Sequence, residues 1–269
     1  MAYRAPAFMF NHPVASIANS AITESPNTTG ISDADRRALR DYRQGTVASW
    51  QPAVGFLNAG PRFDLGSQPI VTTLVIPAGK VWSSAGNRDL RLISSSSATF
   101  AVGNTTHFSI TSTDDSLVDQ TFTGSTDRYW WLLSGDSASG DTFSISQFWI
   151  GQKLTFTAAT VVSPDWRIDQ VYDYTEEVVG GINRRVELSP IRRRFTLDLG
   201  WILPNTPDML YLDLISAQGL RPFWYWPPDD QFSPALVMLE EQPEIVQDHP
   251  SPASSITYAC SLSMIEQVG

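Results

Sequence analysis

The feature that most constrains this chain is a pattern that begins at Arg62: short runs of alternating apolar residues, cut by clusters of Gly, Ser, Asn and Asp. A period of two puts alternate side chains on opposite faces of an extended strand, and many short strands with polar turns build a β-sandwich or barrel. The runs are Arg62–Leu65, Ile70–Ile76, Leu90–Ser94, His107–Thr111, Tyr129–Leu133 and Phe143–Ile150. Ile70, Thr72, Leu74 and Ile76 share one face of their strand, and Val71, Thr73 and Val75 the other, so both faces are expected to be covered. Beyond Gly151 the pattern resumes at Lys153–Ala158, Ile182–Leu188, Ile191–Trp201, Phe223–Trp226, Leu236–Glu240 and Ser255–Met264. The last is the most regular: Ile256, Tyr258, Cys260, Leu262 and Met264 fall on one face, which makes Cys260 a small core residue rather than a nucleophile.

Two helices interrupt this all-β reading. Ser32 can cap a short surface helix with Asp33 and Asp35 in its first turn and arginines up to Arg43 before Gly45. The second runs over residues 206–219: Thr206 at the cap, Pro207 at the first helical position, Asp208 at the positive end and Gly219 at the close. Met209, Leu212 and Ile215 share a face, with Leu210 and Leu214 adjoining, and that face is expected to pack on a sheet. The division expected is an extended arm at 1–44, a β-sandwich at 45–151, and a second β-rich domain, sandwich or barrel, at 152–269.

Charge and composition narrow the function. The chain has 18 basic and 28 acidic side chains, for a net charge of −10. The imbalance lies past Gly151, where 8 basic residues meet 16 acidic ones. An acidic surface repels phosphates, which argues against gripping nucleic acid but allows DNA to pass without specific binding. Arginine is preferred to lysine, which suits paired contacts with carboxylates and, by extension, subunit interfaces. One cysteine closes no intrachain disulfide. No run of about 18 apolar residues exists, so no membrane insertion is expected. Met1–His12 carries no long apolar leader segment, which predicts synthesis in the cytoplasm.

The expected chemistry is mostly negative. His12, His107 and His249 are far apart in sequence and form no paired zinc motif. Gly135-Asp136-Ser137-Ala138-Ser139 lacks the last glycine of a nucleophile elbow. No phosphate-binding glycine loop or dinucleotide fingerprint occurs. The doublets Asp114-Asp115, Glu176-Glu177, Asp229-Asp230 and Glu240-Glu241 would point to opposite faces of a strand, so they make no acid/base pair by themselves. Asp136 and Asp141 flank a loop whose oxygens could hold calcium, though no ligand ladder is present. Trp130-Trp131 and Phe223-Trp224-Tyr225-Trp226 invite either sugar stacking or a core role. In Arg192-Arg193-Arg194, Arg193 alternates with Phe195 and should lie at an edge or reach a carboxylate. The expectation is therefore no enzyme, no cofactor, no metal and no catalytic residue.

Between Trp50 and Gly151 the order of signals resembles a discoidin-like, galactose-binding-like jelly roll. It is carried by Trp50, Phe63-Asp64-Leu65-Gly66, Ile70, Leu74-Val75-Ile76, Leu90-Arg91-Leu92, Arg128-Tyr129-Trp130-Trp131 and Ser144-Ile145-Ser146-Gln147-Phe148-Trp149-Ile150-Gly151, with Asn11 through Glu24 as lead-in. No ligand site carries over, because the loop residues do not align. The layout that follows, Arg193-Arg194-Phe195-Thr196-Leu197, the capped helix, and then Gly219-Leu220-Arg221-Pro222-Phe223-Trp224, is similar to minor tail proteins of long-tailed bacteriophages. That resemblance implies a structural tail-tip or distal tail protein of the virion. It would assemble with copies of itself in a ring and link the tail tube protein to hub, tip and baseplate proteins. The alternative it leaves open is a host-surface adhesin whose jelly roll binds a saccharide.

Overall fold

The structure, a computed structural model, describes residues 4–10, 12–26, 28–40, 46–52, 59–66, 69–83, 90–100, 103–110, 116–134, 141–157, 161–172, 174–179, 182–187, 190–219, 221–248 and 256–267. At residues 82, 83, 110, 161–165, 174–179, 182–187 and 248 the backbone alone is described. The chain is all-β, as its alternation requires, and divides into two compact units: Asn11–Lys153, and Met1–Phe10 together with Leu154–Gly269.

The 11–153 unit is an antiparallel sandwich. A five-stranded sheet runs Ile22–Glu24, Pro61–Asp64, Tyr129–Ser134, Leu90–Ser95, Thr105–Ile110 in spatial order. A three-stranded sheet, Val118–Ser125, Val71–Ile76, Trp149–Gly151, and a four-stranded one, Thr28–Thr29, Ala48–Pro52, Phe143–Ile145, Val81–Ser83, supply the remaining strands. Phe63, Leu90, Leu92, Trp130 and Leu132 from the first sheet meet Leu74, Ile76, Ile150, Trp50, Phe143 and Ile145 from the others in one core. Trp50 closes it with a polar tie, its indole N–H donating to the Ala59 carbonyl at 3.0 Å and to Ser134 Oγ at 3.2 Å. Beside it, a Cβ on Gly60 would lie 2.0 Å from the Leu132 carbonyl oxygen, so backbone approach admits only glycine there.

The first of the two expected helices forms as its signals require. Over Asp33–Ala38 it carries a complete capping box, with the Ser32 hydroxyl accepting from the Asp35 N–H and the Asp35 carboxylate accepting from the Ser32 N–H. The other oxygen of Asp35 accepts from the Ser49 N–H at 2.8 Å and ties the helix to the strand Ala48–Pro52. None of its residues is buried, which makes it a surface helix.

The remaining unit is built on an eight-stranded antiparallel sheet. Its path is Leu154–Thr155, Ala7–Met9, Phe223–Trp226, Ala235–Leu239, Thr257–Glu266, Arg192–Ile202, Val161–Val171, with Ile245–Asp248 added beside Thr257–Glu266. Among the described residues this path has two open ends, a sheet rather than a closed barrel. The helix Pro207–Gln218 buries Leu212 and Ile215 and partly buries Met209, whereas Leu210 and Leu214 are exposed; the apolar face is narrower than the sequence suggests. Thr206 turns its hydroxyl back to the Leu203 carbonyl instead of capping, and Gly219 takes a φ of 59° at the close. Tyr174–Val179 and Ile182–Glu187 pair only with each other among the described residues, as a two-stranded ribbon.

The described residues among the first 44 do not form a separate arm. Ala7–Met9 is an interior strand of the eight-stranded sheet, paired with Leu154–Thr155 on one side and Phe223–Trp226 on the other. Phe8 is fully buried against Phe156, Phe223 and Tyr225. Residues 12–40 belong to the sandwich. His12 lies under Phe148 and Trp149, with Nδ1 3.3 Å from the Ile150 N–H. Burial is the physical reason for the difference: the first strand has too few residues to show a period, yet nearly all of its surface is covered.

Candidate functional site

The arginines are the first sequence candidates to find partners, and the partners lie within their own unit. Arg193 forms a two-pronged pair with Glu266, Nε at 2.8 Å and Nη2 at 2.5 Å, and stacks on Phe195 with 5.3 Å to the ring centre. Arg194 does the same with Glu240, at 2.7 and 2.8 Å, which holds the Glu240 carboxyl below the usual range. In the sandwich, Arg128 clamps Asp64 at 2.7 and 2.8 Å. Arginine is favoured over lysine at these positions because a planar fork suits a carboxylate, with no need for a subunit interface.

The aromatic candidates go to the cores. Trp130 and Trp131 are fully buried, as are Phe223, Tyr225 and Trp226, and Trp224 is nearly so. Sugar stacking on those residues is excluded by their burial. Asp229 is buried and accepts from the Gln231 N–H at 2.9 Å, a turn contact. Cys260 is buried, and burial beside Asp198 pushes its thiol up to about 11, so it is a core residue as the alternation requires. Among the described residues no three His, Cys, Asp or Glu side chains stand together as metal ligands. Asp136, His249, Asp114-Asp115, the side chains of Glu176-Glu177 and the Gly135–Ser139 segment lie outside the described residues.

The arrangement with the most chemistry is at the lateral edge of the sandwich, where the outermost strand of each layer comes close. Thr105–Ile110 is the end strand of the five-stranded sheet and Val118–Ser125 the end strand of the three-stranded one. With the turn that follows, they surround a cavity of about 560 Å3 lined by Thr105, Thr106, His107, Phe122, Thr123, Gly124, Ser125, Thr126 and Asp127. Alternation along the two strands delivers His107 and Phe122 to this place, their ring centres 4.6 Å apart. Buried Trp130 also stacks on the imidazole, ring centres 5.0 Å apart, and lies 6.2 Å from Phe122, so the three rings form one cluster. His107 is thus an imidazole in contact with two aromatic rings that also neighbour each other.

Polar contacts fix the rest. Fully buried Ser94 has Oγ 2.7 Å from His107 Nε2 and donates to Asp127 Oδ2 at 2.5 Å. Ser125 donates to the same oxygen at 2.9 Å, and Trp130 Nε1 donates to the Asp127 carbonyl at 2.8 Å. A hydroxyl has one proton, and that of Ser94 goes to the carboxylate; its oxygen must accept from the imidazole. His107 therefore carries hydrogen on Nε2 and presents Nδ1 as an acceptor. Burial holds this ring below the ordinary imidazole range, partly offset by the Asp127 charge.

Ser, His and Asp together invite comparison with a hydrolytic triad, but the order is wrong. A triad places histidine between the serine, whose proton it takes, and the carboxylate that orients it. Here serine is the middle member, gives its proton to the carboxylate, and is inaccessible. The cavity thus brings together a carboxylate, an imidazole acceptor, an aromatic ring and a rim of exposed threonines.

A second cavity, about 430 Å3, lies in the other unit between Asp198, Glu241, Glu244, Val246 and Ser261. Its charged lining is all acidic, and no histidine lines it.

No family model matches the chain. No curated protein matches it either. Solved structures do. The chain is similar to chitosan-binding module 1 of a chitosanase/glucanase from Paenibacillus sp. IK-5, at 19% identity over 51% of this chain and 100% of that one, with a TM-score of 0.37. It is also similar to a CBM32 module from Clostridium perfringens in complex with GalNAc-β-1,3-galactose, at 13% identity over 50% and 97% of the two chains, TM-score 0.35. A truncated AlyQ with CBM32 and alginate lyase domains gives 17% identity over 76% of this chain and 50% of that one, TM-score 0.35.

Proposed function

We propose that this chain is a non-enzymatic recognition protein whose sandwich binds a saccharide at the edge cavity formed by His107, Phe122 and Asp127. The observation that carries this reading is the cluster of His107, Phe122 and Trp130 rings beside a hydrogen-bonded carboxylate at the cavity. A sugar ring offers an apolar face for an aromatic side chain and hydroxyl donors for a carboxylate and a ring nitrogen, and this arrangement supplies all three partners. The serine's middle position supports binding over turnover. The test is a glycan array with the full chain and with Phe122→Ala. Saturable, sugar-competed signal that Phe122→Ala weakens at least about tenfold, the weight of one lost ring contact, supports the reading. An array blank for the native chain refutes it.

A second reading, a structural tail-tip protein of a bacteriophage assembled as a ring of copies, is favoured by a separate observation. The C-terminal unit leaves Trp201 55% exposed at a positive φ of 60°, where the Arg192–Ile202 strand bulges against its neighbour, and Leu203, Leu210 and Leu214 are exposed as well. A bulge that turns a tryptophan outward suits contact with another protein surface. The two readings are compatible, since a virion protein can carry a saccharide-binding module. Trp201→Ser should lower self-association in sedimentation if this surface joins copies; an unchanged monomeric profile for both forms removes the reading.

A further inference from the structure

Resting on the saccharide reading, we infer that the edge cavity selects sugars that bring hydrogen-bond donors and positive charge, such as glucosamine units with free amines, over sugars that bring carboxylates or sulfates. The argument is a proton inventory. Ser94 and Ser125 both spend their single proton on Asp127, and Ser94 then takes the Nε2 proton of His107. Every proton in this small network is committed inward, toward the buried serine or the carboxylate. What remains for a ligand from these groups is acceptor capacity: the carboxylate of Asp127 and Nδ1 of His107.

Charge points the same way. Asp127 is the single formal charge among the nine lining residues, and no arginine or lysine is among them. The nearest arginine in sequence, Arg128, is engaged by Asp64 through both prongs. An anionic sugar would place its carboxylate or sulfate against Asp127 with no cation to offset the repulsion, whereas an ammonium group gains a charge-assisted contact. The threonines at the rim, Thr105, Thr106, Thr123 and Thr126, are neutral and exposed, so they leave this sign unchanged.

The experiment is calorimetry on the full chain with three probes of equal length: a glucosamine oligomer with free amines, its N-acetylated form, and a uronic acid oligomer. The amine form should bind about fivefold more tightly than the uronate, the ratio an exposed charge pair sustains, and the preference should shrink as salt is raised. Asp127→Asn should erase it. Because Asp127 also anchors two serines, Thr123→Lys serves as a second variant that leaves the network intact, and it should reverse the order. Equal or tighter binding of the uronate by the native chain overturns the inference while leaving the saccharide reading standing, as does an order that neither variant changes. Binding of none of the three, with a blank glycan array, removes the saccharide reading and the inference with it.

Discussion

At the residue scale, the two described histidines differ in what surrounds them. His12 is enclosed by Phe148, Trp149 and the Ile150 and Leu39 backbone, and burial pushes it down to about 4. Since an unfolded histidine titrates near 6.5, the unfolded chain takes a proton below that pH which the native ring refuses. The His12 contribution is complete above about pH 6.5 and is lost as pH falls toward 4. From pH 7 to pH 5 this amounts to about 2 kcal/mol of stability. Urea unfolding at the two pH values, with His12→Gln for comparison, measures it: the variant should be less stable at pH 7 yet show a shallower pH dependence. Equal slopes in the two proteins would mean that His12 is not buried in neutral form. His107, by contrast, is half-buried and lines the cavity.

At the element scale, legibility followed burial. A strand whose buried residues alternate, such as Thr257–Glu266, announces itself by its period, and the capping box at Ser32 can be read letter by letter. Val118–Ser125 gives no such signal: it is an edge strand, largely exposed, with Val118 and Phe122 as its only core-ward residues, so its polar sequence reads as a loop. The candidate site depends on that strand and on Ser94, Asp127 and His107, which pairing of distant segments brings together. Sequence alone shows His107 as an isolated histidine for this reason. The Trp130-Trp131 pair, by contrast, announces aromatics while concealing that both faces of its strand are covered. Ala7–Met9 is the extreme case, three residues whose role is set by partners more than 140 positions away. Phe8→Ala should cost the C-terminal unit about 3–5 kcal/mol. Amide exchange should then accelerate in 154–267 and leave the 11–153 strands protected; uniform acceleration across the chain would contradict the division into two units.

At the scale of the whole molecule, one chain holds two compact units with separate aromatic cores, and the chemistry-bearing groups are unevenly shared between them. The C-terminal unit uses its arginines to clamp Glu240 and Glu266 on its own sheet, and its acidic excess lines the Asp198–Glu244 cavity. The sandwich keeps a histidine, a carboxylate and an aromatic ring together at its open edge. The central claim is that this edge is a ligand site whose imidazole donates inward and accepts outward. Nitrogen-15 spectra of the histidine side chains in the full chain, taken while a bound saccharide is titrated, test it most directly. The account predicts an Nε2-protonated, neutral His107 at pH 7 whose signals move with ligand while those of His12 stay fixed. An Nδ1-protonated ring, or His107 signals unmoved at saturation, would contradict it.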